Sequence, residues 1–171
     1  TTAMIAKILE DAGLDPTVEL GAIVPSWKAN YRVSSRHPER EKSPVDSSSE
    51  GSKDYLVIEA DEFNDNFLHL KPDISVVTNI EMDHPEYFKD FESYKKSFDK
   101  FIMQSEKVID KPRSKLINFP LIVPGIFNIL NASLAYQVGL ALGIDPKTIK
   151  KSLSTYPGIG RRFEYIGKLS S

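Results

Sequence analysis

Short apolar runs alternating with segments of helical period leave this chain few folds to choose from. "TVELGAIV" (17–24), "DYLVIEAD" (54–61) and "DISVVTNI" (73–80) are rich in β-branched residues and read as strands. Between them the period changes. "AMIAKILEDAG" (3–13) puts Met4, Ile5, Ile8, Leu9 and Ala12 on one helical face, with Gly13 where a C-terminal cap belongs. From Glu86 to about Met103, Phe88, Phe91, Tyr94, Phe98 and Phe101 recur at three- and four-residue steps, which predicts an amphipathic helix. "FNILNASLAYQVGLALG" (127–143) predicts an apolar helix closed by Gly143, and Asp145-Pro146 starts a Lys-rich helix ending near Tyr156. The order predicts an α/β fold, a mainly parallel sheet flanked by helices, with residues 1–171 as a single domain.

Two stretches fit that domain poorly. Residues 34–52, "SSRHPEREKSPVDSSSEGS", hold Val45 as their only large aliphatic side chain and predict a disordered or inserted loop. Residues 105–125 are short and broken by prolines where a parallel sheet would need more structure.

Charge and composition exclude several functions. A formal net charge of −2 lacks the basic excess that holds a phosphate backbone, so no nucleic-acid partner is expected. Cysteine is absent, which removes disulfides and thiolate metal sites and fits a reducing, cytoplasmic setting. No apolar run approaches the roughly 18 residues of a membrane span, so no membrane partner is expected.

The chemistry gathers where strands run out. Glu59 and Asp61 point to one side of their strand by the period-2 rule, and Glu62 and Asp65 follow in the loop. Asn79, Glu81, Asp83 and His84 follow Val76 and Val77, and Pro85 stops that strand. Two adjacent strand ends would bring carboxylates and an imidazole to one crevice, a set that suits Mg²⁺ or Mn²⁺. The same acids could equally be helix caps or solvated loop residues, and His84 alone could be structural. His37 reads as solvated and His69 as packed in a short helix. Asn128 and Asn131, at i and i+3, share a helical face whose amides match a nucleobase edge or else cap the helix. Arg161 and Arg162, loosened by Gly158 and Gly160, could clamp a phosphate or sit on a wet surface.

Four motifs in order, "EADE" (59–62), "FLHLKPDISVVTNIEMDH" (67–84), "VPGIFNILNAS" (123–133) and "GIGRRFE" (158–164), resemble the Mur ligase family, most closely its alanine-adding branch. The opening "TTAMIAKILEDAG" is similar to the helix after that family's phosphate loop, Gly-Thr-His-Gly-Lys-Thr-Thr. The resemblance implies the central ATP-binding domain of a P-loop-NTPase-like ligase, with ATP and Mg²⁺ as cofactors. Its substrates in the parent enzyme would be UDP-N-acetylmuramate and L-alanine, joined through an acyl phosphate during peptidoglycan synthesis. Glu59 and His84 would be the catalytic and metal residues. Asn131, with Asn128 beside it, would read adenine, and Arg162 or Arg161 would contact the nucleotide phosphates.

Departures from the family accompany the likeness. Thr1-Thr2 match the last threonines of the phosphate loop, so its lysine and backbone cradle would lie before residue 1. Phe127 stands where the alanine-adding branch usually has His. Residues 105–125 replace several tens of strand-rich residues, and 34–52 replace a shorter link. The expectation is a domain cut from its neighbours that does not catalyse ligation by itself. A non-catalytic scaffold or carrier module is the alternative, and a metal-dependent phosphohydrolase ranks last.

Overall fold

The computed structural model describes residues 1–35, 53–110 and 116–162. The reading of 34–52 as a loop therefore falls almost wholly outside the described residues, as do Phe163 and Glu164 of the last motif. In chain order the elements are α1 (Thr2–Asp11), β1 (Thr17–Val24), β2 (Ala29–Arg32), β3 (Leu56–Ile58), β4 (Ile74–Val77), α2 (Phe91–Met103), β5 (Lys107–Asp110), α3 (Ile126–Ala141) and α4 (Pro146–Ser154). A kinked 3-10 segment, Phe63–His69, lies between β3 and β4.

The fold is α/β, but among the described residues its strands form two sheets rather than one. In the first the order is β2-β1-β3, with β1 antiparallel to β2 and parallel to β3. In the second, β4 and β5 run parallel from Ile74↔Lys107 to Val77↔Asp110. Two of the three pairings are thus parallel, as expected. The antiparallel β2 and the short β5 were not foreseen. β5 lies inside the stretch read as lacking structure, where four residues, "KVID", are too few to show a period. The expected strand over 54–61 is cut to Leu56–Ile58, because Asp61 folds the chain back on itself. Its carboxylate accepts from Phe63 N–H at 3.0 Å and its carbonyl from Phe67 N–H at 2.8 Å. The expected helix from Glu86 starts only at Phe91, because Asp90 caps it by accepting from Ser93 N–H at 2.7 Å.

The core is built around α1. Met4, Ile8 and Leu9 are buried, and the helix packs against α3 and α4. Both α1 and α3 end in the same way, with left-handed Gly13 (φ 74°) and Gly143 (φ 77°). Leu14 N–H reaches back to the Leu9 carbonyl at 2.9 Å and Ile144 N–H to Gly139 at 3.0 Å, the six-to-one bonds of a glycine-terminated helix. α4 begins as its sequence dictates: Asp145 accepts from Lys147 and Thr148 N–H, and Pro146 follows it. A second, aromatic cluster sits beside β4. Phe67 stacks on Phe101 with centroids 4.8 Å apart, and Tyr94 and Phe98 extend the group.

Asp15 ties α1 to the β1–β2 hairpin. Its carboxylate accepts from the Arg32 guanidinium, the Ser34 hydroxyl, and the Ser35 backbone and hydroxyl. Burial alone would raise its pKa, but the hydrogen bonds from Ser35, Ser34 and Arg32 outweigh it and bring the group down to about 2. A depressed carboxylate contributes stability above its unfolded pKa of 3.8 and loses it as pH falls through the folded value near 2. Asp15→Asn should therefore lower stability at neutral pH and flatten the acid limb of a urea-monitored pH profile between those two values. Ile149, fully buried where α4 meets α1 and α3, should cost about 2–5 kcal/mol on truncation to Ala in the same urea titration.

Candidate functional site

The loop after β3 and the turn after β4 bring three potential ligands together. One donor atom each from Glu62, Asp83 and His84 lie within 4.8 Å of one another. His84 Nε2 stands 4.0 Å from both Glu62 Oε1 and Asp83 Oδ2, and its Nδ1 is 3.2 Å from Glu86 Oε1. Glu62, Asn79, Glu81, Asp83 and Tyr94 line a cavity of about 260 Å³ beside them. The carboxylates act on the imidazole. The hydrogen bond to Glu86 raises the His84 pKa above its ordinary value; desolvation opposes the rise, and the charges of Asp83, Glu86 and Glu62 add to it. Phe63 packs on the ring with centroids 5.0 Å apart.

Backbone geometry around this cluster is unusual. Asn64 (φ 54°), Asp65 (φ 58°) and His84 (φ 55°) all sit in the left-handed region that L-residues avoid. Side chains from the following helix and turn hold the loop there. Asp65 accepts from Tyr87 Oη at 2.9 Å and from Ser97 Oγ, and Glu62 accepts from Tyr94 Oη at 3.3 Å. Burial, followed by the charge and hydrogen bond of Glu62, raises the Tyr94 phenol to about 12, so it remains a donor at neutral pH.

A second group forms where α1 and α3 begin. Glu59 Oε2 accepts from Gly21 N–H at 2.7 Å, and its Oε1 lies 3.7 Å from Arg162 Nη2. Thr1 Oγ1 donates to Asn131 Oδ1 at 2.8 Å. Asn128 Nδ2 donates to the Pro124 carbonyl at 2.7 Å, the backbone-bonding role considered for it above. Arg161 is exposed with φ 62°, in a tight turn bridged by Ile159 and Arg162.

The sequence-derived site residues therefore divide. His84 lies in the three-donor cluster, whereas Glu59 lies outside it and takes internal partners. β3 and β4, read as neighbouring strands, belong to separate ladders. Two acids and an amide turn out to serve the backbone: Asp61 closes its turn, and Asp83 and Asn79 each accept from the following residue's N–H. His69 ends the 3-10 segment exposed rather than packed, and His37 is outside the described residues. Tyr94, Ser97 and Tyr87 were missed as partners of the site, because on α2 and its preceding turn they read only as part of an apolar stripe or its flanks.

Parallel strands ending in acid-rich loops on an α/β core are common to many proteins, and comparison with known proteins narrows the class. Residues 1–109 match the Mur ligase middle domain, and the chain belongs to that family. It is 31% identical over 219 residues to the UDP-N-acetylmuramate–L-alanine ligase of Caldicellulosiruptor saccharolyticus, a match using 99% of this chain and 44% of the relative. The enzyme of the same name from Xylella fastidiosa is 30% identical over 220 residues, covering 99% and 43%. Among solved structures, the UDP-N-acetylmuramate-alanine ligase of Thermotoga maritima superimposes with a TM-score of 0.77 at 23% identity, over 97% of this chain and 44% of that one. The UDP-N-acetylmuramate:L-alanyl-γ-D-glutamyl-meso-diaminopimelate ligase of Neisseria meningitides gives 0.73 at 18%, over 94% and 63%. These last two likenesses concern the fold. The chain spans less than half the length of the curated relatives it matches. Among the described residues, no helix is long and apolar enough to cross a membrane.

The His84 ring offers a direct check on the cluster. Its C–H proton resonances should titrate with a midpoint above the ordinary imidazole value of 6.5, and Glu86→Gln should move that midpoint down. A midpoint unaffected by Glu86→Gln would contradict the arrangement around Nδ1.

Proposed function

We propose that this chain is the ATP- and cation-binding part of a cytoplasmic ligase that joins L-alanine to UDP-N-acetylmuramate in peptidoglycan synthesis. The observation that carries the reading is the convergence of Glu62, Asp83 and His84 at the end of a parallel strand in a Mur ligase middle domain. The names of the relatives supply the substrate class.

The donor set fits a cation. Two carboxylates and one imidazole within 4.8 Å can close on one small ion with little side-chain movement, and oxygen-rich sets favour Mg²⁺ or Mn²⁺. His84 and Glu62 would hold it, with Asp83 from the open side and Glu59 three residues away along the same loop. A bound Mg²⁺ would supply charge neutralisation for the ATP phosphates. Asn131 keeps its amide nitrogen and Asn128 its amide oxygen for an adenine edge, since each has only its other atom engaged with described residues. Arg162, 64% exposed and 3.7 Å from Glu59, is free to turn toward a phosphate. The ligation as a whole is assigned to a protein of the relatives' length, and the chain by itself is proposed not to carry it out.

A scaffold role is the second reading, favoured by the internal partners of Glu59. A carboxylate already bonded to Gly21 N–H and paired with Arg162 needs no ion to be satisfied.

Calorimetry with Mg²⁺-ATP separates the two. The nucleotide-binding reading expects saturable binding that weakens about tenfold or more, about 1.4 kcal/mol, in both Glu59→Ala and Asn131→Ala. A folded chain that takes up no Mg²⁺-ATP would support the scaffold.

A further inference from the structure

The Glu62–Asp65 turn is held in its left-handed backbone by hydroxyls from outside it. Two consecutive non-glycine residues at φ 54° and 58° persist only where surrounding contacts over-determine them. Here two of the contacts come from one side of α2, and a third from Tyr87 in the turn before it. Tyr94 and Ser97, at i and i+3, face the turn and are 3% and 4% exposed. A hydroxyl buried that deeply is costly unless it finds a partner, and each finds a carboxylate: Glu62 for Tyr94, Asp65 for Ser97. The Tyr94 ring cannot drift, because Phe88 and Phe98 pack against it with centroids 4.8 and 4.9 Å away.

One oxygen links this arrangement to the candidate site. Glu62 Oε1, the atom that accepts from Tyr94 at 3.3 Å, is also the atom 4.0 Å from His84 Nε2. A carboxylate on an exposed loop samples several rotamers. One whose oxygen is bonded from a rigid aromatic side is held near a single direction, leaving its remaining lone pairs toward His84 and Asp83.

We propose that Tyr94 is a positioning residue for a divalent cation: from α2 it fixes the Glu62 carboxylate opposite His84, while Ser97 secures the same turn through Asp65. This rests on the reading that Glu62, Asp83 and His84 hold the ion. Tyr94 itself does not touch the cation in this scheme. It acts only through Glu62, and that makes the assignment separable from a role in packing.

Mn²⁺ binding to the whole chain, followed by loss of the free-ion electron paramagnetic resonance signal, tests it. Tyr94→Phe removes one hydroxyl and keeps the ring, and should weaken Mn²⁺ binding about tenfold, the lower range for outer-shell partners of metal ligands. Glu62→Gln should weaken it at least as much. The decisive comparison is the double variant: if Tyr94 works through Glu62, adding Tyr94→Phe to Glu62→Gln changes nothing further. An undiminished effect in that background, or a Tyr94→Phe chain that binds like the wild type, overturns the proposal and leaves the cation site standing. Should Tyr94→Phe fail to fold, Ser97→Ala makes the test from the other carboxylate, with severalfold weakening expected and wild-type binding overturning the assignment. Absence of Mn²⁺ binding by the wild type, or binding unchanged in His84→Ala, would overturn the cation site and the positioning role together.

Discussion

Everything in the larger core depends on how closely α3 is allowed to approach its neighbours at Gly139. A Cβ placed there would come within 2.7 Å of Ile149 Cδ1 and 3.4 Å of Ile8 Cγ2, so side chains from α4 and α1 occupy the space that any other residue would need. The three helices meet at that point. Because α1 is locked against α3 there, its N-cap Thr1 arrives beside the second turn of α3, where it bonds to Asn131. The glycine thus sets the distance between the two ends that make up half of the candidate site. Packing at the centre fixes polar geometry at the rim, since a close-packed core does not deform continuously.

The acids of this protein illustrate how one residue type is divided between two tasks. Asp61, Asp90 and Asp145 accept backbone N–H groups, and each ends or begins an element by doing so. Asp83 does the same for His84 while presenting its other oxygen to the imidazole, so it serves both turn and cluster. The Glu62 carboxylate accepts from no backbone N–H among the described residues; a phenol and an imidazole are its neighbours instead. Carboxylates placed around a single histidine repel one another, and the raised pKa of His84 is the compensation available without an ion.

Those two tasks explain what could be read in advance. The helices were legible because their signals are strong and local: an apolar face on α1, glycine after α1 and α3, and Asp-Pro before α4. β1 matched its apolar run residue for residue. β2 and β5, of four residues each, carry little period of their own; β2 is held by the adjacent strand of its hairpin and β5 by a partner distant in sequence. At the site, the collection of acids around His84 was legible and its internal division was not. An Asp that caps a turn and a Glu that faces a histidine look alike in a sequence; only the position of the nearest N–H separates them. Tyr94 was hidden in another way, since it packs as a core aromatic and also carries the hydroxyl that reaches Glu62.

Glu59 poses the remaining physical question, because its oxygens are taken by Gly21 and Arg162. The two interactions differ in kind. The bond from Gly21 N–H, at 2.7 Å, comes from fixed backbone and holds one oxygen in place. The pair with Arg162, at 3.7 Å and with the guanidinium 64% exposed, is of the solvated kind worth about 0–1 kcal/mol. So weak a contact is easily exchanged. An arriving phosphate would compete for the guanidinium with two or more oxygens, and a cation would compete for the carboxylate with full charge. In the proposed nucleotide-binding role, either ligand would free the partner the other needs, which would make the two binding events mutually favourable. In that role Glu59 would be oriented by the bond from Gly21 and left available by the weaker pair with Arg162.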